Sequence, residues 1–289
     1  MPNTIGTTTW RLKYATSTIQ QALRRMLMAE SICAVDNTDS KYIYNPYGST
    51  PTATIQALAG TYAISTYTTT NDTLEVKDEF VVSERIADFE DVLSNYDLFT
   101  SRINEMTAAV KDKIDSFVVN NLCEDGTGTY STPSGGFTTA ANINKIFSSL
   151  IAKVSGYSDS YKGMFIILEN SDVSGLIEAG ATNGFNFADA VLNNGKVGNY
   201  MGVDVYVTRD STFTNGSGGT TSWENSGHRV FGIKGVATYA SPRGVRYAEK
   251  DPSDASVGYT QKEIVVWGYC GFKLWYTKLG LIVDITVTA

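Results

Sequence analysis

Histidine and cysteine, which often serve as proton carriers, nucleophiles and metal ligands, are scarce in this 289-residue sequence. It contains one histidine, His228, and three cysteines that lie far apart, Cys33, Cys123 and Cys270. A single histidine excludes an HExxH helix and a histidine-rich zinc site, and the cysteines form no CxxC pair. We therefore expect three buried, reduced thiols and a loop or strand-edge position for His228.

The other common catalytic motifs are missing as well. The sequence has no GxSxG nucleophile elbow and no GxxxxGK[ST] phosphate loop. The segment 36–39 (DNTD) lacks the glycine and the final glutamate of a calcium-binding EF loop. A pair of carboxylates that could hydrolyse a glycosidic bond is not excluded by the sequence, because 30 acidic residues always offer some pair. The sequence predicts no catalytic, cofactor or metal site, and we expect a protein that is not an enzyme.

The composition is that of a globular chain with an acidic balance. Hydrophobic residues make up 42% and charged residues 18%, and 23 basic against 30 acidic residues give a net charge of -7. A protein that grips DNA through its phosphates is usually basic. No apolar run approaches the roughly 18 residues of a membrane span, and the first residues lack the pattern of an export signal. We expect no membrane association and no export.

The first elements along the chain that could position side chains are an N-terminal arm and a hairpin. Residues 1–50 carry five basic and three acidic residues, so the net charge of this part is +2 and that of the rest of the chain is -9. Apolar residues at helical spacing predict a short helix over residues 17–31. Residues 53–82 predict one long hairpin that turns at residues 70–72 (TND), because residues 53–69 are rich in Thr, Tyr, Ile and Ala and apolar residues alternate from there to Val82. Such a ribbon is marginal alone in water and needs a partner surface, for which a neighbouring subunit is the natural candidate.

A long helix and a mixed α/β segment follow. Apolar residues recur at steps of three and four from Ile86 to Leu122 with no proline or glycine between them, which predicts a helix of about 35 residues that packs on a sheet. Helices are predicted over residues 140–155 and 171–179, with a strand over 164–168. Strands are predicted around 195–207 and over 230–239, 245–248, 263–275 and 281–287, and the fold class is α+β.

Three segments carry a resemblance to a known family. They are residues 193–207 (NNGKVGNYMGVDVYV), 165–173 (FIILENSDV) and 265–273 (VVWGYCGFK). Together with the order of arm, hairpin, long helix and mixed α/β region, the chain resembles the major capsid proteins of tailed bacteriophages with the HK97 fold. The glycines of the first segment also have a physical interpretation, because Gly198 and Gly202 would bracket a tight reversal between strands.

The resemblance implies a four-part organisation. Residues 1–52 would be the N-terminal arm and residues 53–82 the extended β-hairpin loop. Residues 83–134 and 241–275 would form the peripheral domain with the spine helix, and residues 135–240 and 276–289 the mixed α/β axial domain. Contacts between subunits are expected at eight residues of the hairpin and the arm: Tyr67, Thr69, Asn71, Asp72, Lys77, Arg11, Arg24 and Arg25.

The resemblance also implies a function and partners. The subunit would assemble with itself into pentamers and hexamers of an icosahedral head in the virion, enclosing double-stranded DNA without sequence-specific binding. A portal, a separate scaffolding protein and a decoration protein would be its partners. The hairpin tip offers no lysine for an isopeptide bond between subunits, so we expect no covalent chaining. Two other classes stay open: an encapsulin-like compartment and a carbohydrate-binding or adhesive β-rich protein.

Overall fold

The computed structural model describes residues 28–48, 53, 55, 60, 66–87, 98–155, 163–183, 196–208, 227–250, 261–275 and 280–288. Every structural statement below concerns these residues. Most of the predicted helix over residues 17–31 and the first strand of the predicted hairpin lie outside them. Arg11, Arg24 and Arg25 also lie outside them. The fold is mixed α+β, as the sequence predicts.

The described elements comprise four α-helices and thirteen strands. The helices are α1 (Ala29–Ile32), α2 (Leu98–Asp125), α3 (Ala140–Val154) and α4 (Val173–Asn183). The strands are β1 (Ala34–Asp36), β2 (Tyr42–Gly48), β3 (Thr69–Glu75), β4 (Asp78–Ala87), β5 (Gly128–Ser131), β6 (Met164–Glu169), β7 (Lys196–Tyr200), β8 (Val203–Thr208), β9 (His228–Ile233), β10 (Ala237–Ala240), β11 (Arg246–Lys250), β12 (Gln261–Leu274) and β13 (Ile282–Thr286).

A five-stranded sheet is organised around β12. Strands β1, β10, β12 and β11 lie in that order, and β4 also pairs with β12, antiparallel over ten residue pairs. One face packs on α2, where Phe80 and Phe117 meet edge to face with ring centroids 5.6 Å apart. A Cβ at Gly268 would lie 3.5 Å from Val110 and 3.6 Å from Ile114. These are ordinary van der Waals distances, so the helix lies directly against the strand at this position.

A six-stranded sheet forms the second half of the molecule. Its order is β5-β13-β9-β6-β8-β7. Helix α3 and helix α4 cover one face and share a core with it, including Phe147, Leu150 and Leu176. The other face packs toward α2, because Phe165 and Val230 belong to the same apolar cluster as the helix. Helix α2 thus contacts both sheets, and most residues of its C-terminal half are buried.

Several predicted elements agree with the structure. The predicted helix over 140–155 corresponds to α3, and the strand and helix that follow correspond to β6 and α4. The reversal within residues 193–207 lies at Met201 and Gly202, with φ of 51° and 82°, because Tyr200 pairs directly with Val203. A two-residue loop with positive φ at both positions matches the right-handed twist of its strands. Gly198 lies within β7, beside a register shift, and not in the turn.

The start of the long helix and one strand differ from the prediction. Residues 83–87 belong to β4, and the described helix runs over the 28 residues Leu98–Asp125. Apolar spacing did not show that the strand predicted up to Val82 continues to Ala87, because Ile86 also fits the helical spacing. The single strand predicted over 230–239 is two strands, β9 and β10, which belong to different sheets. Gly235, with φ of 78°, lies at the break between them.

The predicted hairpin is wrong in its pairing. Residues 70–72, which were expected to turn, lie inside β3 and pair antiparallel with residues 45–47 of β2. Residues 42–48, which form β2, were expected to be part of the N-terminal arm and not of the hairpin. The two strands form a separate ribbon, with residues 49–68 as the connection between them. Strand β4, expected as the return strand, pairs with β12 in the five-stranded sheet.

Among the described residues no helix is long and apolar enough to cross a membrane.

Candidate assembly surface

The β2–β3 ribbon, meaning residues 42–48 and 69–75, has two distinct faces. Its inner face places Ile43 and Leu74 as a cross-strand pair, and they pack with Ala240 and Trp275 in a small apolar cluster. Leu74 is fully buried there. This contact fixes the base of the ribbon to the five-stranded sheet.

An ion pair holds the inner face further along the ribbon. Asp72 lies two residues before Leu74 on β3 and therefore points to the same side of the strand. Its Oδ1 atom lies 3.1 Å from the Nζ atom of Lys273 on β12. Asp72 therefore makes an intramolecular contact in the structure, although the sequence predicted a contact at the tip of the loop.

The outer face of the ribbon exposes aromatic and hydroxyl side chains. Tyr42, Tyr44 and Pro46 of β2 alternate with the inner residues, and Tyr44 is 65% exposed. On β3, Asn71 lies across from Pro46 and Thr69 lies across from Gly48, and both side chains are exposed. This surface offers ring faces and hydrogen-bonding groups, with the Glu75–Lys41 ion pair at one end, which suits contact with another protein.

The structure brings together three of the eight predicted contact residues. Thr69 and Asn71 lie on the outer face, and Tyr67, 70% exposed, lies just before β3. Lys77 is exposed in the short connection between β3 and β4. Arg11, Arg24 and Arg25 lie outside the described residues. The sequence reasoning missed the residues of β2, although the alternation of YIYNPY over residues 42–47 is the signal of a strand.

An amine at the base of the ribbon is held by a carboxylate. The Nζ atom of Lys41 lies 3.1 Å from Oε1 of Glu75 and 5.1 Å from the centroid of the Tyr42 ring. The hydrogen bond to Glu75 raises the pKa of Lys41, with Tyr42 adding to the effect. Lys41 therefore stays protonated at neutral pH, and a protonated amine is not a nucleophile.

A second exposed surface lies on the five-stranded sheet, opposite α2. Val81 of β4 and Tyr269 of β12 are 52% and 41% exposed. Trp267 pairs with Val81 across the two strands and is half-buried. The face also carries an ion pair between Arg85 and Glu263, with Nε and Oε2 3.3 Å apart. Apolar side chains at the centre with charged groups at the rim are typical of a protein contact surface.

Buried charges elsewhere serve the fold. The guanidinium of Arg229 lies 2.7 Å from Glu169 and 2.5 Å from Asp172, and all three side chains are nearly buried. Beside them, Nδ1 of His228 lies 2.9 Å from both carboxylate oxygens of Asp284. His228 is the first residue of β9, a strand-end position as predicted. Buried charges need such partners, because leaving one without a partner is costly.

The three thiols are buried, as the sequence predicts. Burial, with a smaller effect from Asp115, raises the pKa of Cys33 to about 12. Burial also raises the pKa of Cys123 and Cys270 well above its usual value. A thiol with so high a pKa carries almost no thiolate at neutral pH. Among the described residues no group of three or more His, Cys, Asp or Glu could hold a metal ion.

Comparison with solved structures gives likenesses over the whole chain. The capsid structure of the cyanophage P-SCSP1u is 13% identical, with a TM-score of 0.70, and the match covers 100% of this chain and 97% of that one. The mature capsid of bacteriophage PhiM1 is 10% identical, with a TM-score of 0.68 and coverage of 94% and 90%. The head structure of Helicobacter pylori bacteriophage KHP40 is 11% identical, with a TM-score of 0.65 and coverage of 94% and 93%.

This chain has a phage capsid fold. Its sequence matches no family model and no curated protein. The likeness therefore lies in the arrangement of the elements and not in the residues. The matches span nearly all of both chains.

Proposed function

We propose that this protein is the major capsid protein of a tailed bacteriophage, a structural subunit of the virion that assembles with itself into the pentamers and hexamers of an icosahedral head. The observation that carries the proposal is the likeness to phage capsid structures over 100% of this chain and 97% of the other. A shared domain alone would leave large parts of one chain without a counterpart. The capsid fold here accounts for the whole subunit.

The proposed organisation is that of the HK97 fold. Helix α2 would be the spine of the peripheral domain, with the five-stranded sheet packed on it. The six-stranded sheet with α3 and α4 would form the axial domain near the symmetry axes. Two apolar clusters support this division, one around α2 and one between α3, α4 and the six-stranded sheet. Helix α2 contacts both sheets and would keep their relative positions fixed.

The ribbon would be the base of the extended loop that lies across a neighbouring subunit. Its inner face is bound to its own subunit through Leu74 and Asp72. Its outer face, with Tyr44 and Asn71, is free to contact another copy. Tyr67, Thr69, Lys77, Arg11, Arg24 and Arg25 remain proposed contact residues.

The head would enclose double-stranded DNA without binding a specific sequence. The net charge of -7 favours a wall that does not hold the DNA tightly. A portal, a separate scaffolding protein and a decoration protein are proposed as partners.

The test is expression of the full chain, followed by size-exclusion chromatography and negative-stain electron microscopy. We expect closed particles tens of nanometres across, or capsomers that close when a scaffolding protein is supplied. A chain that stays monomeric under both conditions would contradict the proposal. Particles that enclose a protein cargo and never DNA in the producing host would favour an encapsulin-like compartment. Binding of the monomer to a glycan array would favour the adhesive class.

A further inference from the structure

Arg243 stands in a backbone conformation that most residues avoid. The chain turns at residues 241–244, where the amide of Gly244 donates to the carbonyl oxygen of Ser241 at 3.2 Å. The φ of Arg243 is +64°. This is the third position of the turn, after Pro242, where glycine is the usual residue. A side chain at positive φ costs backbone strain that glycine would avoid.

The contact that Arg243 makes within its own chain does not account for this strain. Its Nε atom lies 2.6 Å from Oδ2 of Asp39, and both side chains are 55% exposed. Ion pairs this exposed contribute little to stability, because water and salt screen them. The structure shows no further hydrogen bond from Arg243 to the described residues. The rest of its guanidinium is therefore available to bind a carboxylate through two parallel hydrogen bonds.

Arg243 also borders an open cavity of about 480 Å³. Its lining includes Glu30, Thr107, Lys111, Tyr239, Arg243 and Val245. Lys111 is exposed on α2 and forms no ion pair with the described residues. The cavity has two cationic groups, Lys111 and Arg243, and one carboxylate, Glu30, while Asp39 pairs with Arg243 beside it. Lys111 and the remaining N–H groups of Arg243 are therefore the donors that a further carboxylate could use. The volume is within the range of cavities that hold ligand groups.

We propose that Arg243, together with Lys111 at the same cavity, receives an aspartate or glutamate side chain from a second copy of this chain. The proposal rests on the proposed function, since a shell brings many copies into contact. Charge complementarity argues for this occupant, because Lys111 has no ion-pair partner among the described residues, Arg243 keeps further N–H donors, and each copy carries 30 acidic residues. The backbone strain at Arg243 is then balanced by a contact that exists only in the assembled shell.

The first experiment replaces Arg243 with glycine, the residue that the turn prefers. For Arg243→Gly we expect a Tm equal to that of the wild-type subunit or higher, and a yield of closed particles at least about tenfold lower, as for loss of a central interface arginine. The matched control is Asp39→Asn, which removes only the partner within the chain and should assemble normally. Normal assembly of Arg243→Gly, a clear fall in its Tm, or an equal assembly defect in Asp39→Asn would overturn the proposal.

The second experiment identifies the carboxylate. Particles of Arg243→Lys are treated with a water-soluble carbodiimide, which joins an amine to a neighbouring carboxyl group as an amide. We expect a dimer band on a denaturing gel and, by mass spectrometry, a link from position 243 to an Asp or Glu of another copy. A link to Asp39 alone, with no dimer, would overturn the proposal. Failure of the wild-type chain to form particles would instead contradict the proposed function, so the two failures are distinguishable.

Discussion

At the residue scale, the polar clusters of this protein are structural supports. Asp115 on α2 is buried and accepts hydrogen bonds from the amides of Met28 and Ala29, at 2.8 and 2.9 Å. Those amides stand at the start of α1, where backbone N–H groups have no partner within the helix. The carboxylate therefore ties the point where the N-terminal segment joins the described fold to the middle of the long helix.

Asp204 is the clearest case in which such a cluster leads to a pH dependence. Its carboxylate lies 2.7 Å from Nζ of Lys196 and 2.5 Å from Nζ of Lys234. Burial by itself would raise the pKa of Asp204, but hydrogen bonds from Lys196, Lys234 and Asn199 outweigh it and lower the pKa to about 2. A carboxyl whose pKa is lower in the folded state stabilises the fold above its unfolded pKa, near 4, and loses that contribution as pH falls toward 2.

We therefore expect Asp204→Asn to reduce the free energy of unfolding of the subunit by about 1 kcal/mol at pH 7, a value discounted for solvent screening at a partly exposed site. The difference between variant and wild type should disappear as pH falls from about 4 to 2. Chemical denaturation at a series of pH values measures it. A difference that stays constant over that range would show that the loss is steric and not electrostatic.

At the scale of elements, α2 depends on its buried side. Met106 is 2% exposed, and an aspartate there would place a charge in the apolar cluster between the helix and the sheet. Burying a charge without a partner costs several kcal/mol. We expect Met106→Asp to yield insoluble protein, or a soluble subunit with a much lower Tm.

Asn104→Asp is the matched control, because it introduces the same side chain on the same helix at an exposed position. It should leave solubility and Tm near those of the wild type. Equal behaviour of the two variants would contradict the assignment of the buried side.

The two faces of the ribbon predict two different defects. Leu74→Ala removes a fully buried side chain, and substitutions of this kind lower the free energy of unfolding by about 2–5 kcal/mol. Tyr44→Ala removes an exposed ring and should leave the stability of the subunit within about 0.5 kcal/mol. If the outer face contacts a neighbouring subunit, Tyr44→Ala should reduce particle yield all the same.

Denaturant unfolding and particle yield measure these two effects separately. A Tyr44→Ala subunit that assembles as well as the wild type would remove Tyr44 from the proposed contact surface. A Leu74→Ala subunit of unchanged stability would show that the ribbon base is not fixed to the sheet as described.

At the scale of the whole molecule, we predict a shell held together without covalent bonds between subunits. An isopeptide bond needs an unprotonated lysine placed against an asparagine or a carboxyl group. Lys41, beside the ribbon, is held protonated by Glu75. Lys77 lies exposed in the short connection between β3 and β4, where no apolar surroundings desolvate its amine. A denaturing gel of boiled particles should therefore show one band near 31.4 kDa. A ladder of oligomers would contradict this prediction.

The sequence by itself determined the elements whose signal is local. Regular apolar spacing without proline or glycine identified most of the long helix α2, and helices were also predicted where α3 and α4 lie. Gly202 marked the turn between β7 and β8, because a residue with positive φ is needed there. The three cysteines were correctly predicted as buried thiols, since no partner motif accompanied them.

Only the tertiary structure decided which strands pair and which way their side chains point. Strand β3 pairs with β2, which precedes it by about twenty residues, and not with the residues next to it in sequence. Residues 228–240 divide between two sheets, although the sequence predicted a single strand over 230–239. Alternation along a strand gives the period of its side chains, but neither its partner nor its register. The partner and the register of a strand depend on long-range contacts. For this reason Asp72 pairs with Lys273 of its own chain, although the local sequence pattern predicted that Asp72 lies in an exposed turn.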